Sequence, residues 1–333
     1  MAEAVELRVG ERTVRISNPA RVYFSTRGET KLDLANYYMS VGDGIVRALR
    51  ERPCMLHRFP SGLEGEKVYQ KRLPAGAPEW VQTVQIHFPR FGRTAQELCV
   101  TELASVIWAV QMSTVEFHPW NSRRADVEKP DEWRIDIDPM PNCKFDRVRR
   151  VTHVVHEVLD ELGAVGWPKT SGGHGLHVYV RISPRRDFGE LRRAAQAFAR
   201  EVERRIPQDA TTTWWRKDRA PQKAFVDYNQ NARDHTIASA YSVRGVRDGI
   251  VSSPIGWGEL DDVEPAELTI ATVPGRFARL GDLHAGIDDA AFEIEPLLEW
   301  ADRDRPRDTV ETAEQRKRAR PRHRWRGREP SSE

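Results

Sequence analysis

The sequence predicts an α/β fold of the α+β kind, and three observations carry that expectation. Strand-like and helix-like segments interleave in a β-α-β-β order, which favours a sheet backed by helices over a helix bundle. Residues 146–162 set Val151, Val154, Val155, Val158, Leu159 and Leu162 on one side of a helix, with Gly163 as its stop. In Leu176–Ile182, by contrast, His177, Tyr179 and Arg181 alternate with Leu176, Val178 and Val180, the period of a strand.

Taken in order, residues 6–16 read as a hairpin turning at Gly10-Glu11. An amphipathic helix is expected from Lys31 to about Arg50, then strands at 55–58, 67–71 and 81–88. Residues 102–112 have helical spacing, 114–118 read as a strand, and 121–132 as a polar loop. The acidic strand Trp133-Arg-Ile-Asp-Ile-Asp-Pro139 follows. A second long helix is expected over 187–206 with Asp187 as N-cap, and further strands run through 241–246. Trp214 and Trp215 are expected in the core.

The 333 residues carry 52 Lys+Arg against 50 Asp+Glu, but the charge is unevenly placed. Residues 301–333 hold 11 basic and 7 acidic side chains, leaving 41 against 43 before them. Residues 301–333 are expected to be a disordered tail, whose run Arg316-Lys-Arg-Ala-Arg-Pro-Arg-His-Arg-Trp-Arg-Gly-Arg328 suits a phosphate backbone or is simply solubilising. Three widely spaced cysteines and an N-terminus without signal-peptide character lead to an expected cytoplasmic location. No apolar stretch approaches membrane-spanning length.

The chemistry concentrates in three segments. Alternation puts Asp136 and Asp138 on one strand face, about 6–7 Å apart, with Ile135 and Ile137 toward the core. Aspartates form strands poorly, and two on one face repel unless a cation neutralises them. Asp227 ends another apolar run, in Phe225-Val-Asp-Tyr-Asn-Gln-Asn231, and offers a third carboxylate. The turn Ser171-Gly-Gly-His-Gly-Leu-His177 offers donors for phosphate; it is no P-loop, because a strand follows it and no Gly-Lys-Ser/Thr does. Carboxylates for divalent ions beside donors for phosphate suit nucleotidyl transfer. Each motif alone has a plainer reading: an ion-paired strand, a simple connecting turn, a strand-end aspartate.

Together these motifs resemble the archaeo-eukaryotic primase superfamily, and within it the polymerase domain of bacterial DNA ligase D. The resemblance covers nearly all of residues 10–300 and extends to Tyr241-Ser-Val-Arg244-Gly and Ser253-Pro-Ile-Gly-Trp257. It implies a single primase-polymerase domain over 1–300, with an N-terminal module to about 112 and an RRM-like catalytic module from 113. Asp136, Asp138 and Asp227 then hold two Mg²⁺ or Mn²⁺ ions, and His118 takes the place of an active-site histidine. Ser171, Gly172, Gly173, His174, His177, Arg219, Lys223, Gln230 and Arg244 are expected around a nucleoside triphosphate. Asn18, Arg21, Lys31, His57 and Arg58 stand where relatives bind a DNA 5′-phosphate, with Tyr69 stacking on template. Arg21 and His57 stand where lysine is usual, Val68-Tyr69 keeps one ring of an aromatic pair, and His174 replaces a frequent lysine.

The expected activity is templated nucleotide addition, with ribonucleotides preferred, at short DNA gaps or broken ends in excision repair or end joining. With no ligase or nuclease motif in the sequence, sealing is expected from a separate ligase. De novo priming, non-catalytic DNA-end binding and metal-dependent nuclease action are the competing readings.

Overall fold

The computed structural model describes residues 4–89 and 92–304. The hairpin forms as β1 (Ala4–Val9) and β2 (Arg12–Ser17), followed by the small pair β3 (Val22–Phe24) and β4 (Glu29–Thr30). The single helix expected after Lys31 is two, α1 (Lys31–Ser40) and α2 (Gly42–Leu49). A Thr30–Asp33 capping box starts the first, and the poor helix formers Gly42 and Gly44 follow the break at Val41.

A five-stranded sheet comes next: β5 (Pro53–Arg58), β6 (Val68–Gln70), β7 (Thr83–Phe88), β8 (Arg93–Cys99) and, after α3 (Leu103–Gln111), β9 (Thr114–Pro119). Strand β5 sits centrally, bonded to β6, β8 and β9. The sheet and α1–α3 enclose one core built on Phe24, Tyr38, Ile45, Leu56, Ile107 and Phe117.

The loop expected over 121–132 is instead a short hairpin, β10 (Ser122–Arg123) and β11 (Asp126–Pro130). Its polar sequence hides the pairing because charged side chains face solvent while backbone groups pair.

The acidic strand is β12 (Glu132–Pro139), followed by α4 (Phe145–Glu161), β13 (Gly166–Thr170), β14 (Leu176–Arg181), α5 (Phe188–Arg205), β15 (Ala210–Thr211) and β16 (Ala224–Asp227). They build a sheet of order β13-β14-β12-β16-β15, antiparallel except for the last pair. The order is β-α-β-β-α-β-β, which contains the β-α-β-β run expected and has β12 at the centre of the sheet. Ile135 and Ile137 enter a second core with Val148, Val151 and Val155 of α4 and Phe198 of α5. Asp187 caps α5 through a reciprocal box with Glu190.

Residues 241–246 form only a single bridge, Val243 to Val251, instead of a regular strand. After α6 (Val273–Leu280), α7 (Glu295–Arg303) packs on α5, so the folded body continues past residue 300. The basic run at 316–328 lies outside the described residues. No described helix is long and apolar enough to cross a membrane.

Arginines join the two halves at the start of β12. Arg52, just before β5, grips Asp131 with two bonds of 2.6 and 3.1 Å and reaches Glu132 at 3.4 Å. Arg134 bonds Glu132 at 2.9 Å and the carbonyls of Pro119 and Trp120 at 2.8 and 3.0 Å.

Candidate active site

One row of side chains crosses the second sheet from edge to centre. Strand register sets Lys169 beside His177, His177 beside Asp136, and Asp136 beside Asp227. Pleat alternation adds Asp138 on the same face. Ligand oxygens of Asp136, Asp138 and Asp227 lie within 4.8 Å of one another. Burial, then the Asp227 charge, pushes the Asp136 carboxyl up to about 7. The Asp136 charge, then burial, pushes Asp138 up to about 8. Burial also raises Asp227, whose oxygens accept from the Asn229 N–H at 2.7 Å and the Gln230 amide at 3.3 Å.

Buried Oδ1 of Asp136 receives no hydrogen bond from any described residue. His177 Nε2 approaches it to 3.3 Å without hydrogen-bond geometry. Three crowded carboxylates with an orphaned oxygen are the donor set of a hard divalent cation, so these residues fit the ions expected. Behind them, Lys169 Nζ lies 2.8 Å from His177 Nδ1 and also contacts the Ser252 hydroxyl. Burial drives both Lys169 and His177 well below their ordinary values.

The glycine turn closes the site on the β14 side. Ser171 Oγ accepts from the N–H groups of Gly173 and Gly175, each at 3.1 Å, which holds the turn. Gly172 has φ 70° and its backbone passes Arg244 so closely that an added Cβ would meet Cγ at 2.4 Å. At Gly175 a Cβ would lie 2.6 Å from the Ile137 carbonyl oxygen, so only glycine fits against β12. His118, Asp136, Asp138, Ser171, His174 and Arg244 line a cavity of about 400 Å³ together with Gly173 and His177. A larger groove of about 520 Å³ beside His156 and Trp257 has Asp160 as its one carboxylate, so it offers no comparable donor set.

A second cluster spans the first sheet, where register sets Tyr69, His57 and Glu116 side by side. Glu116 receives His118 Nε2 at 2.8 Å, His57 Nδ1 at 3.2 Å, Lys67 Nζ at 3.2 Å and the Gly245 N–H at 3.0 Å. Arg244 Nε stands 3.4 Å away. Burial alone would raise this carboxyl, but the two imidazoles and Arg244 hold it well below the usual range. Burial depresses His57 and takes His118 down to about 3, so both imidazoles are neutral at pH 7. Their donor atoms also meet the geometry for a metal ion. Lys67 and Arg244 already balance the carboxylate, which makes Glu116 an anchor for the cavity wall instead.

Most residues expected at a 5′-phosphate already hold partners. Arg21 contacts the Pro60 carbonyl, and Arg58 contacts the Met112 carbonyl and the Gln70 amide oxygen. Asn18 is exposed in a left-handed turn at φ 52°. Lys31 departs from the expectation: it is buried, and its ammonium binds the Ser17 carbonyl at 3.0 Å and the Gln111 carbonyl and side chain at 2.7 and 2.9 Å. It shapes the surface from beneath and presents no charge to a ligand. Tyr69 is 63% exposed, its ring 4.7 Å from that of His57.

On the β16 side, Arg219 binds the Thr213 and Trp214 carbonyls and lies 3.3 Å from the Phe225 ring centroid. Lys223 is half-buried, its carbonyl accepting the Met140 N–H. Trp214 and Trp215, expected in the core, are 45% and 64% exposed. The segment around them, Thr213 to Asp218, is polar and offers no second apolar face to cover them. Lys169 and Glu116 join the site without having been expected there; a lysine two residues before the glycine turn and a glutamate inside an apolar strand are the signals the sequence offers for them.

Comparison with known proteins agrees with this geometry. The family described as LigD, primase-polymerase domain, matches residues 30–284. The multifunctional non-homologous end joining protein LigD of Pseudomonas aeruginosa is 34% identical over 282 residues, 84% of this chain and 33% of that protein. The bifunctional LigD of Bacillus subtilis is 29% identical over 264 residues, 78% of this chain and 42% of its own length. The chain thus spans about a third of the length of the first of these relatives. A solved polymerase domain of Mycobacterium tuberculosis ligase D, in complex with DNA, superposes with TM-score 0.77 at 28% identity, covering 84% of this chain and 99% of that one. With carboxylates, glycine turn and sheet order all in place, the chain belongs to the LigD primase-polymerase domain family and is a nucleotidyltransferase of that family.

Proposed function

We propose that this protein adds nucleotides, under template direction, to 3′ ends at short DNA gaps or broken ends, in the setting of end joining. The observation that carries this reading is a cluster of three carboxylates, two of which, Asp136 and Asp138, line one cavity with the glycine turn. Asp136, Asp138 and Asp227 would hold Mn²⁺ or Mg²⁺ ions, which when bound lower the pKa of a 3′-hydroxyl and neutralise phosphate charge. The Gly172–Gly173 backbone, His174 and Arg244 bind and orient the triphosphate. Arg244 does so while tied to Glu116, so its guanidinium is positioned before the substrate arrives. Gln230, holding Asp227, fixes the carboxylate that faces the incoming strand. Arg58, held by the Met112 carbonyl and Gln70, would have to exchange those partners to take a 5′-phosphate across a gap, and exposed Tyr69 offers a ring to the template.

The test is single-nucleotide extension on a gapped duplex, comparing 5′-phosphate with 5′-hydroxyl, ribonucleotide with deoxynucleotide, and Mn²⁺ with Mg²⁺. Templated addition of ribonucleotides, favoured by the 5′-phosphate and absent in Asp138→Ala, is the expected result. DNA shortening without added triphosphate would instead make this a nuclease. Binding without any addition would make it an end-binding module.

A further inference from the structure

Among the described residues, the large exposed aromatics are Tyr69, Trp214 and Trp215. Trp215 is the most exposed of them at 64%. The Trp214 ring faces Tyr228 at 6.2 Å and Arg192 at 5.5 Å, while no ring or cation of the described residues stacks on Trp215. Exposure here is local and flat, because Thr213, Arg216, Lys217 and Asp218 on either side are polar and exposed. The side chains of Arg216 and Lys217 make no hydrogen bond or ion pair with the described residues, whereas Arg219 is bonded inward.

The pair is fastened to the reaction centre. Arg219 clamps the Thr213 and Trp214 carbonyls at 2.8 and 2.9 Å and stacks on Phe225, which is the register partner of Asp138. Sheet order also separates two approaches to the carboxylates. The glycine turn joins β13 and β14 on one flank of β12, and the tryptophans follow β15 on the other. A triphosphate on the first flank leaves the second for the strand that supplies the hydroxyl.

We infer that Trp214 and Trp215 form a stacking platform for unpaired bases of the DNA strand whose 3′ end enters the site, with Arg216 and Lys217 on its phosphates. This rests on the nucleotidyl-transfer reading for the identity of the strand. An exposed π face interleaved with cations matches the base–phosphate alternation of single-stranded nucleic acid. A protein partner would call for a broader apolar patch, and the polar neighbours rule that shape out. Stacking tolerates any base, so the platform would steady a frayed or mispaired end without reading its sequence.

The experiment is equilibrium binding of a labelled duplex with a 3′ overhang, without nucleotide, against the same overhang carrying abasic sugars. Wild-type affinity should fall roughly five- to tenfold when the bases are removed. Trp215→Ala should lose a similar factor on the intact overhang and no longer distinguish the two DNAs, while Trp215→Phe retains most of the difference. Arg216→Ala with Lys217→Ala should reduce the salt slope of overhang binding by about 1.4, two single-strand phosphate contacts. The inference is overturned if Trp215→Ala, with unchanged thermal stability, still discriminates between the DNAs by the wild-type factor. It is overturned equally if wild type itself ignores the loss of bases. Because binding is read without turnover, failure of the polymerase reading would show separately, in the extension assay.

Discussion

At its first residue β12 buries Glu132, and four residues later on the same strand it buries Asp136. Glu132 lies among Arg52, Arg134 and Arg181, whose charges outweigh burial and hold its carboxyl well below the usual range. Asp136 has two more carboxylates for neighbours and a carboxyl driven up to about 7. Burial is nearly equal at the two ends, so it does not separate a structural charge from a functional one. Completeness does: the arginine end satisfies itself within the fold, and the aspartate end lacks a cation that only a ligand supplies.

That contrast is open to attack from both ends. Asp136→Asn should reduce nucleotide addition to background while leaving the folded state as stable as wild type or more so, since it removes repulsion. Arg134→Met should do the reverse, costing about 3–5 kcal/mol by removing the nearest partner of buried Glu132 and the donor to the Pro119 and Trp120 carbonyls, as read by urea unfolding. A stable Arg134→Met protein would mean the arginine end is not self-contained.

The pH dependence of stability should have opposite signs at the two ends. Asp136 and Asp138 titrate near 7 and 8 when folded and near 4 when unfolded, so between those values the folded protein binds more protons. Their contribution to stability therefore falls as pH rises from about 4 to 8. Asp131 and Glu132 have depressed carboxyls, so their contribution is complete above about pH 4 and is lost as acid protonates them. Thermal unfolding scans should show the alkaline loss vanish in an Asp136→Asn, Asp138→Asn double variant. Added Mn²⁺ should offset it in wild type.

A smaller effect should follow at Glu116, which resembles the arginine end in being satisfied and the aspartate end in touching the cavity. Glu116→Gln frees Arg244 and Lys67 from a shared carboxylate. The nucleotide KM should rise roughly tenfold, the scale of one charged hydrogen bond of about 1.5 kcal/mol, with kcat less changed. A fall in kcat alone would place Glu116 closer to the chemistry.

The same contrast explains what the sequence made legible. Asp136 and Asp138 stood out because two aspartates on one strand face break a local rule, and Asp227 because it ends another apolar run and offers a third carboxylate. The long helices of the second sheet and the β-α-β-β interleaving followed from periodicity, whereas the RRM-like core came from the family resemblance. Lys169 and Glu116 did not stand out, since their meaning depends on partners such as Ser252 and Arg244, far away in the chain. Lys31 misled for a related reason: three oxygens, two of them from Gln111, convert a basic surface residue into a buried strut. Trp214 and Trp215 misled because size suggested burial, while Arg219 pins their backbone at the rim.

Manganese binding, titrated calorimetrically at pH 8 and pH 6 with wild type, Asp136→Asn and Asp227→Asn, tests the aspartate end most directly. Wild type should bind, more tightly at pH 8 because the carboxylates have then released their protons, and either substitution should abolish most of that binding. Undiminished binding in both variants, with no dependence on pH, would contradict the assignment of these three carboxylates to the metal.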